Sequence, residues 1–322
     1  MEMSDNMKSY LKKRIGNQTG MLLLVILLIC IIAGTLNSSF LTFKNFTTVL
    51  QQISVLGIIA MAMLLLMIFR GIDLSLGALM GMSGVILCKT VMAGYSVFYG
   101  VLLSMAITTI CGFVNGVIVT KSKSEPLIIT LGMSYIYSGL ALVISDGGFL
   151  SFGGNLKWFG RGYILKIPVS VYILLFIMIF IHVILTYTKY GRRLFLIGAN
   201  EELAYLSGVK VDRCKIISYM ISGILTGIAM IVLVARLGNI LAGSGDGYEF
   251  RALSAAIVGG VTFSGAKGTV FGVFLGVVLL GIMSNTMNIL GVSSFYQTVI
   301  SGVIIVVAVI LSNLNNKKRS SI

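Results

Sequence analysis

Charge is what this chain has least of. Only 11% of its 322 residues are charged against 57% hydrophobic, and the mean hydropathy is +1.03. A soluble domain carries roughly 25% charged and about 45–50% apolar residues, so a soluble enzyme or nucleic-acid-binding domain is excluded. Proline is nearly absent, at 2 residues, so the 38 glycines do not belong to Pro/Gly-rich linkers. Cysteine is scarce too: Cys30, Cys88 and Cys111 lie in apolar runs and Cys214 in a basic loop, without C-x-x-C or other ligand spacing. That excludes a disulfide-stapled secreted domain. The single histidine, His182, stands in an apolar run and gives a metal site nothing to build on. No G-x-x-x-x-G-K-[ST] loop is present, and Gly-Lys does not occur even as a dipeptide. The chain therefore has no phosphate cradle of its own and hydrolyses no ATP unaided.

Long apolar runs are what it does have. A 57% apolar share suffices for on the order of nine to ten spans of about 20 residues each. Runs bounded by polar or glycine breaks predict ten helices, at about 20–36, 47–69, 74–93, 97–119, 126–145, 169–187, 216–235, 250–263, 269–288 and 295–313. The expected fold is all-α: one polytopic membrane domain over 1–322, an uncleaved first span, and both termini cytoplasmic. Residues 1–19 and 314–322 form cytoplasmic tails, and 188–215 a long cytoplasmic loop. The net charge of +14 fits this orientation rather than a nucleic-acid partner. Of the 24 Lys and Arg, only Lys44, Lys89, Lys157, Arg161, Lys166, Arg236 and Arg251 fall outside, as the positive-inside rule requires. The run 250–263 would span only about 21 Å as a helix, short of a hydrocarbon core of about 30 Å. It is expected as a short or broken crossing beside the pathway, since interrupted helices are tolerated only against protein or a cavity. Glycines repeating at i,i+4 (Gly77/Gly81, Gly112/Gly116, Gly223/Gly227, Gly268/Gly272/Gly276) supply close helix packing where lipid gives helices no hydrophobic reason to associate.

Polar residues inside such a chain carry its function. In Arg70-Gly-Ile-Asp73-Leu-Ser75-Leu-Gly77, Asp73 is placed to cap the third helix through the N–H of Ser75 or Leu76, or to stand on the pathway; the two roles are compatible. In the cytoplasmic loop, Asn200 caps a two-turn amphipathic helix over 200–207, with Glu201 and Glu202 in its first turn and Gly208 ending it. Too short to stand alone, it must dock on a soluble partner or on the membrane surface. Glu249 precedes the short span and braces it or faces the pathway. Gln51, Gln52, Asn115, Ser284, Asn285 and Asn288 are the remaining polar candidates within spans, the last three sharing a helix face. No chain of intramembrane carboxylates suggests a proton relay.

From about residue 40 to 312 the chain resembles the ribose/xylose/arabinose/galactoside-type permease subunits of bacterial ABC importers. The resemblance is carried by Arg70–Gly77, by Ile197-Gly198-Ala-Asn200-Glu201-Glu202-Leu-Ala204-Tyr-Leu-Ser207-Gly208-Val, and by Gly247-Tyr-Glu249-Phe-x-Ala252 running to Gly259-Gly260. Gly268-Thr-Val-x-Gly272 and Asn288 to Gln297 complete it. The family's first motif more often begins Gly-Gly-Ile-Asp; Arg70 here puts a cation into that bend, open to pairing with Asp73. The resemblance implies a translocation subunit, not an enzyme, importing a pentose or hexose by alternating access across the inner membrane. It implies a second permease copy, ABC ATPase subunits that hold the ATP and Mg, and an extracytoplasmic solute-binding protein. Residues 200–207 would be the helix that couples to the ATPase, with Gly198, Asn200, Glu201, Glu202, Ala204, Ser207 and Gly208 as its motif. A nucleoside or autoinducer permease of the same family, and an ion-coupled secondary transporter, are the alternatives.

Overall fold

Apolar residues without internal proline make long helices, and both prolines sit where helices start. The computed structural model describes residues 2–306 except 152, 154, 155, 294, 298, 301, 304 and 305, with side chains described from Thr19 onward. The helices are α1 (Glu2–Leu36), α2 (Phe43–Met67), α3 (Leu76–Met92), α4 (Val97–Ser122), α5 (Pro126–Ser145), α6 (Lys157–Arg161), α7 (Val169–Tyr187), α8 (Lys189–Ala199), α9 (Glu201–Leu206), α10 (Val211–Leu237), α11 (Tyr248–Val258) and α12 (Val270–Ile289). Pro126 opens α5 and Pro168 precedes α7, positions where the missing N–H costs nothing. Among the described residues, seven helices are long and apolar enough to cross a membrane, the apolar part of α1 running from Thr19 to Leu36. Helix α3 and the shorter α11 bring the number of matches to the expected spans to nine. The tenth, 295–313, lies largely outside the described residues.

Helix α2 is the axis of the bundle. From Ile53 to Met67 every residue is buried, enclosed by α7, α10, α11 and α12. The part of α1 from Thr19 to Leu36 is at least as apolar, yet shows most of its side chains outward. Glycine pays for the close contacts. Gly112 of α4 and Gly223 of α10 meet backbone to backbone, and a Cβ on Gly223 would overlap the Thr108 carbonyl. Gly272 and Gly276 of α12 likewise lie on the backbone of Gly259 and Ala255 at the end of α11.

The short run near 250–263 holds one 11-residue helix, α11, separated from α12 by a turn. Helix α11 stops at Val258, and the chain enters it through the non-helical stretch 241–247. That stretch lies on α3: Gly245 packs against the Gly77 carbonyl, and Gly81 against that of Ala242. Irregular backbone is thus covered by protein, as a bilayer demands. Two-residue strands close the same end: β1 (Leu150–Ser151) pairs antiparallel with β4 (Asn239–Ile240), and β2 (Tyr163–Ile164) with β3 (Ile167–Pro168).

Candidate functional site

The break between α2 and α3 is organised around Asp73, which is 1% exposed. Its Oδ1 accepts from the Ser75 N–H (2.9 Å) and hydroxyl (2.6 Å), and Oδ2 from Asn115 Nδ2 (3.2 Å). Asn115 also donates to Ser75 Oγ (2.8 Å) and accepts from Tyr137 OH (2.9 Å). Thr130 Oγ1 accepts from the Leu74 N–H, and Tyr219 OH donates to the Ile72 carbonyl, both at 3.0 Å. The expected bond from Ser75 to Asp73 is present, but the residue before α3 is Ser75, so Asp73 closes a turn one step ahead of the helix. Buried polar groups in such a network have their partners, and each would cost about 1–3 kcal/mol if left alone. Three pathway candidates, Asp73, Ser75 and Asn115, are therefore brought together and closed off. Tyr137, Tyr219 and Thr130 complete the cluster, and a polar tip inside an apolar run is the only signal the sequence carries for them.

Glu249 is 8% exposed at the start of α11. Its Oε1 accepts from the Gly247 N–H at 3.2 Å, and its Oε2 lies against Gly77 with no hydrogen-bond partner among the described residues. The carboxylate thus packs at the junction of α11 and α3. The polar residues of α12 stand apart from the Asp73 cluster. Asn285 exchanges two hydrogen bonds with Asn45 (2.7 and 3.0 Å) near the start of α2, Asn288 accepts from Gln297 (2.8 Å), and Ser284 is half-buried. The shared helix face does not make them one site.

At the Phe43 end of α2, a cavity of about 360 Å³ is lined by Thr48, Gln51, Gln52, Arg161, Tyr163 and Arg236. Gln51 Nε2 lies 3.4 Å from Tyr163 OH. Arg161 donates from Nε to the Arg236 carbonyl (2.6 Å) and from Nη2 to that of Leu237 (3.2 Å), closing the C-terminus of α10. Arg236 Nη1 is buried without a hydrogen-bond partner among the described residues. Amides, a phenol and guanidinium groups suit a solute rich in hydroxyls. Of these residues the sequence singled out the glutamines alone; Thr48 lies one turn before them on α2, while Arg161, Tyr163 and Arg236 arrive from more than 100 residues away in the chain.

At the opposite end, roughly 37 Å along α2 at 1.5 Å per residue, stand α8 and α9. Asn200 accepts from the Leu203 N–H at 3.0 Å, the expected N-cap. Glu201 pairs with Lys215 of α10 at 2.6 Å. Leu203, Tyr205 and Leu206 are 60, 70 and 72% exposed, while Ala204 faces the protein at 3%. Ser207 turns its hydroxyl back onto the Leu203 carbonyl, and Gly208 takes a left-handed φ of 79°. Gly198 touches no open surface: a Cβ there would overlap the Ile68 carbonyl at the end of α2. Of the residues expected to form a coupling motif, Glu202 is exposed and Glu201 is exposed but paired with Lys215, while Gly198 and Ala204 pack against the protein. Helix α8 was not expected. Tyr190, on its first turn, binds the Cys214 carbonyl (3.0 Å) and the Ser218 hydroxyl (2.7 Å), and burial pushes its phenol pKa up.

Arg70 does not pair with Asp73. It adopts a left-handed φ of 68°, a conformation costing about 1–2 kcal/mol in a residue with a Cβ. Its Nε donates to the carbonyls of Gly198 and Ser264 (2.9 Å each), and Nη2 to that of Ala199 (3.0 Å).

Buried breaks between apolar helices, a polar cavity at one end and a short exposed helix at the other are features that suit a transport protein. The chain belongs to the family described as branched-chain amino acid transport system / permease component, whose profile matches residues 45–309. It is 36% identical over 312 residues to the ribose import permease protein RbsC of Bacillus subtilis (strain 168), covering 96% of this chain and 94% of the relative. It is 34% identical over 296 residues to the D-allose transport system permease protein AlsC of Escherichia coli (strain K12), covering 91% of each. The L-arabinose transport system permease protein AraH of the same organism is 33% identical over 316 residues, covering 96% and 94%. No solved structure matches the chain. It is a multi-pass membrane permease.

Proposed function

We propose that this permease is the translocation subunit of an ATP-driven importer that carries a pentose or hexose into the cytoplasm. The observation that carries the reading is α9. Six residues cannot form a stable helix alone, yet α9 is capped, tied to α10 and left with three large apolar side chains facing outward. On a permease of this family, that surface is what an ATPase subunit docks on. The end bearing α9 and Arg70 then faces the cytoplasm, and the cavity at Gln51 and Gln52 faces outside, receiving solute from an extracytoplasmic binding protein. ATP and Mg reside in the ATPase subunits, and a second permease copy completes the pathway. The Asp73 cluster and Glu249 hold the broken helices that alternating access moves.

The test is uptake of labelled D-ribose, D-allose and L-arabinose by cells expressing the permease with its cognate ATPase and binding protein. Uptake that ceases when ATP is depleted, with the proton gradient kept, supports the reading; uptake persisting then shows a secondary transporter. A photocrosslinker at Tyr205 or Glu201 is expected to capture the ATPase. An active complex without that crosslink overturns the coupling role of α9.

A further inference from the structure

Three segments far apart in the chain meet at the α9 end. Gly198 lies on the carbonyl of Ile68, the Ala266 N–H donates to that same carbonyl at 2.8 Å, and Arg70 reaches both Gly198 and Ser264. The end of α2, the α8–α9 joint and the turn after α11 therefore converge on the backbone of Ile68 and the side chain of Arg70, two residues on. The carbonyls Arg70 takes from α8 are its last two, Gly198 and Ala199. These are among the carbonyls a helix leaves unsatisfied at its C-terminus, where a cation is favoured by the helix dipole. Helix α8 has no basic residue of its own in that last turn. A guanidinium spans two segments because its donors form a rigid fork; a lysine ammonium has no such geometry.

We propose that Arg70 is a positioning residue for energy coupling: it binds the α8–α9 joint to the turn following α11, so that displacement of α9 moves the broken crossing with it. This rests on the reading of α9 as the ATPase-docking helix. The backbone contacts through Ile68 remain when the side chain is removed, so the seat of α9 survives and the coordinated motion is what is lost. Arg70 touches neither the cavity nor the Asp73 cluster, so it acts through the joint and not on the solute.

The experiment uses the permease reconstituted with its ATPase and binding protein in liposomes, measuring D-ribose, D-allose or L-arabinose transported per ATP hydrolysed. In Arg70→Ala and Arg70→Gly the expected result is an assembled complex with ATP hydrolysis retained and a transport-to-hydrolysis ratio reduced about fivefold or more. Arg70→Lys, which keeps the charge and loses the fork, is expected to fall between them and the wild type. A wild-type ratio in assembled Arg70→Ala overturns the proposal. If Arg70→Ala does not assemble, Arg70→Lys and Arg70→Gln decide, and a wild-type ratio in both overturns it. Failure of the wild-type complex to couple uptake to ATP is a different result, which removes the importer reading itself.

Discussion

Two arginines close helix C-termini at opposite ends of this molecule, and they leave opposite surroundings. Arg161 caps α10 beside a cavity of about 360 Å³ in which glutamines, a tyrosine and a second arginine face open space. Arg70 caps α8 where backbone lies on backbone and a Cβ has no room at Gly198. The same electrostatic device thus frames a receptive end and a mechanically tied end. Under the proposed function this asymmetry has a use: force arrives through the closely packed joint, and solute enters at the open cavity.

The largest effect expected from breaking the comparison is at the tied end. Gly198→Val drives side-chain atoms into the Ile68 carbonyl and is expected to cost about 3 kcal/mol or more, seen as collapse of the monodisperse fraction in size-exclusion chromatography. Next comes Asp73→Ala, which strips the acceptor from the Ser75 N–H, the Ser75 hydroxyl and Asn115. A loss of about 3 kcal/mol is expected, read as a drop in the thermal midpoint in detergent, with Asp73→Asn losing less. Leu206→Asp sharpens the contrast from outside. At 72% exposure it is expected to leave permease stability within about 0.5 kcal/mol and to weaken ATPase binding about tenfold or more in a pull-down titration. At the open end, Arg236→Gln is expected to raise the apparent KM for uptake several-fold, about 1 kcal/mol, without changing basal ATP hydrolysis. Lys215→Ala, which breaks the partly exposed pair with Glu201, is expected to be smallest, at about 0–1 kcal/mol, measured by the same thermal midpoint.

Local chemistry was legible along the chain; partners were not. The α9 helix could be read because Asn200, the two glutamates and Gly208 are punctuation that acts within one turn. The turn at Asp73 could be read for the same reason, down to its bond with Ser75. Its stabilising partners could not: Asn115, Tyr137 and Tyr219 come from α4, α5 and α10, and nothing near Asp73 in sequence points to them. Ser284, Asn285 and Asn288 share a helix face, yet Asn285 turns to Asn45 and Asn288 to Gln297. Arg70 stood three residues from Asp73, and proximity in sequence suggested a pair. The left-handed turn at Arg70 instead lets its guanidinium reach the end of α8.

The sparse charge of this chain, by itself, determined that it lives in a membrane, that its helices break near Asp73 and before α11, and that a capped helix stands at 200–207. These follow from water, which sorts apolar from polar residues wherever they occur. Only the tertiary structure decided that α2 is the enclosed axis while the equally apolar stretch of α1 from Thr19 to Leu36 faces outward, and that Arg70 and Arg161 frame a tied end and an open one. Lipid and protein interior are alike in polarity, so hydrophobicity does not rank one apolar helix against another. Close packing at glycine and the pairing of a few buried polar groups do.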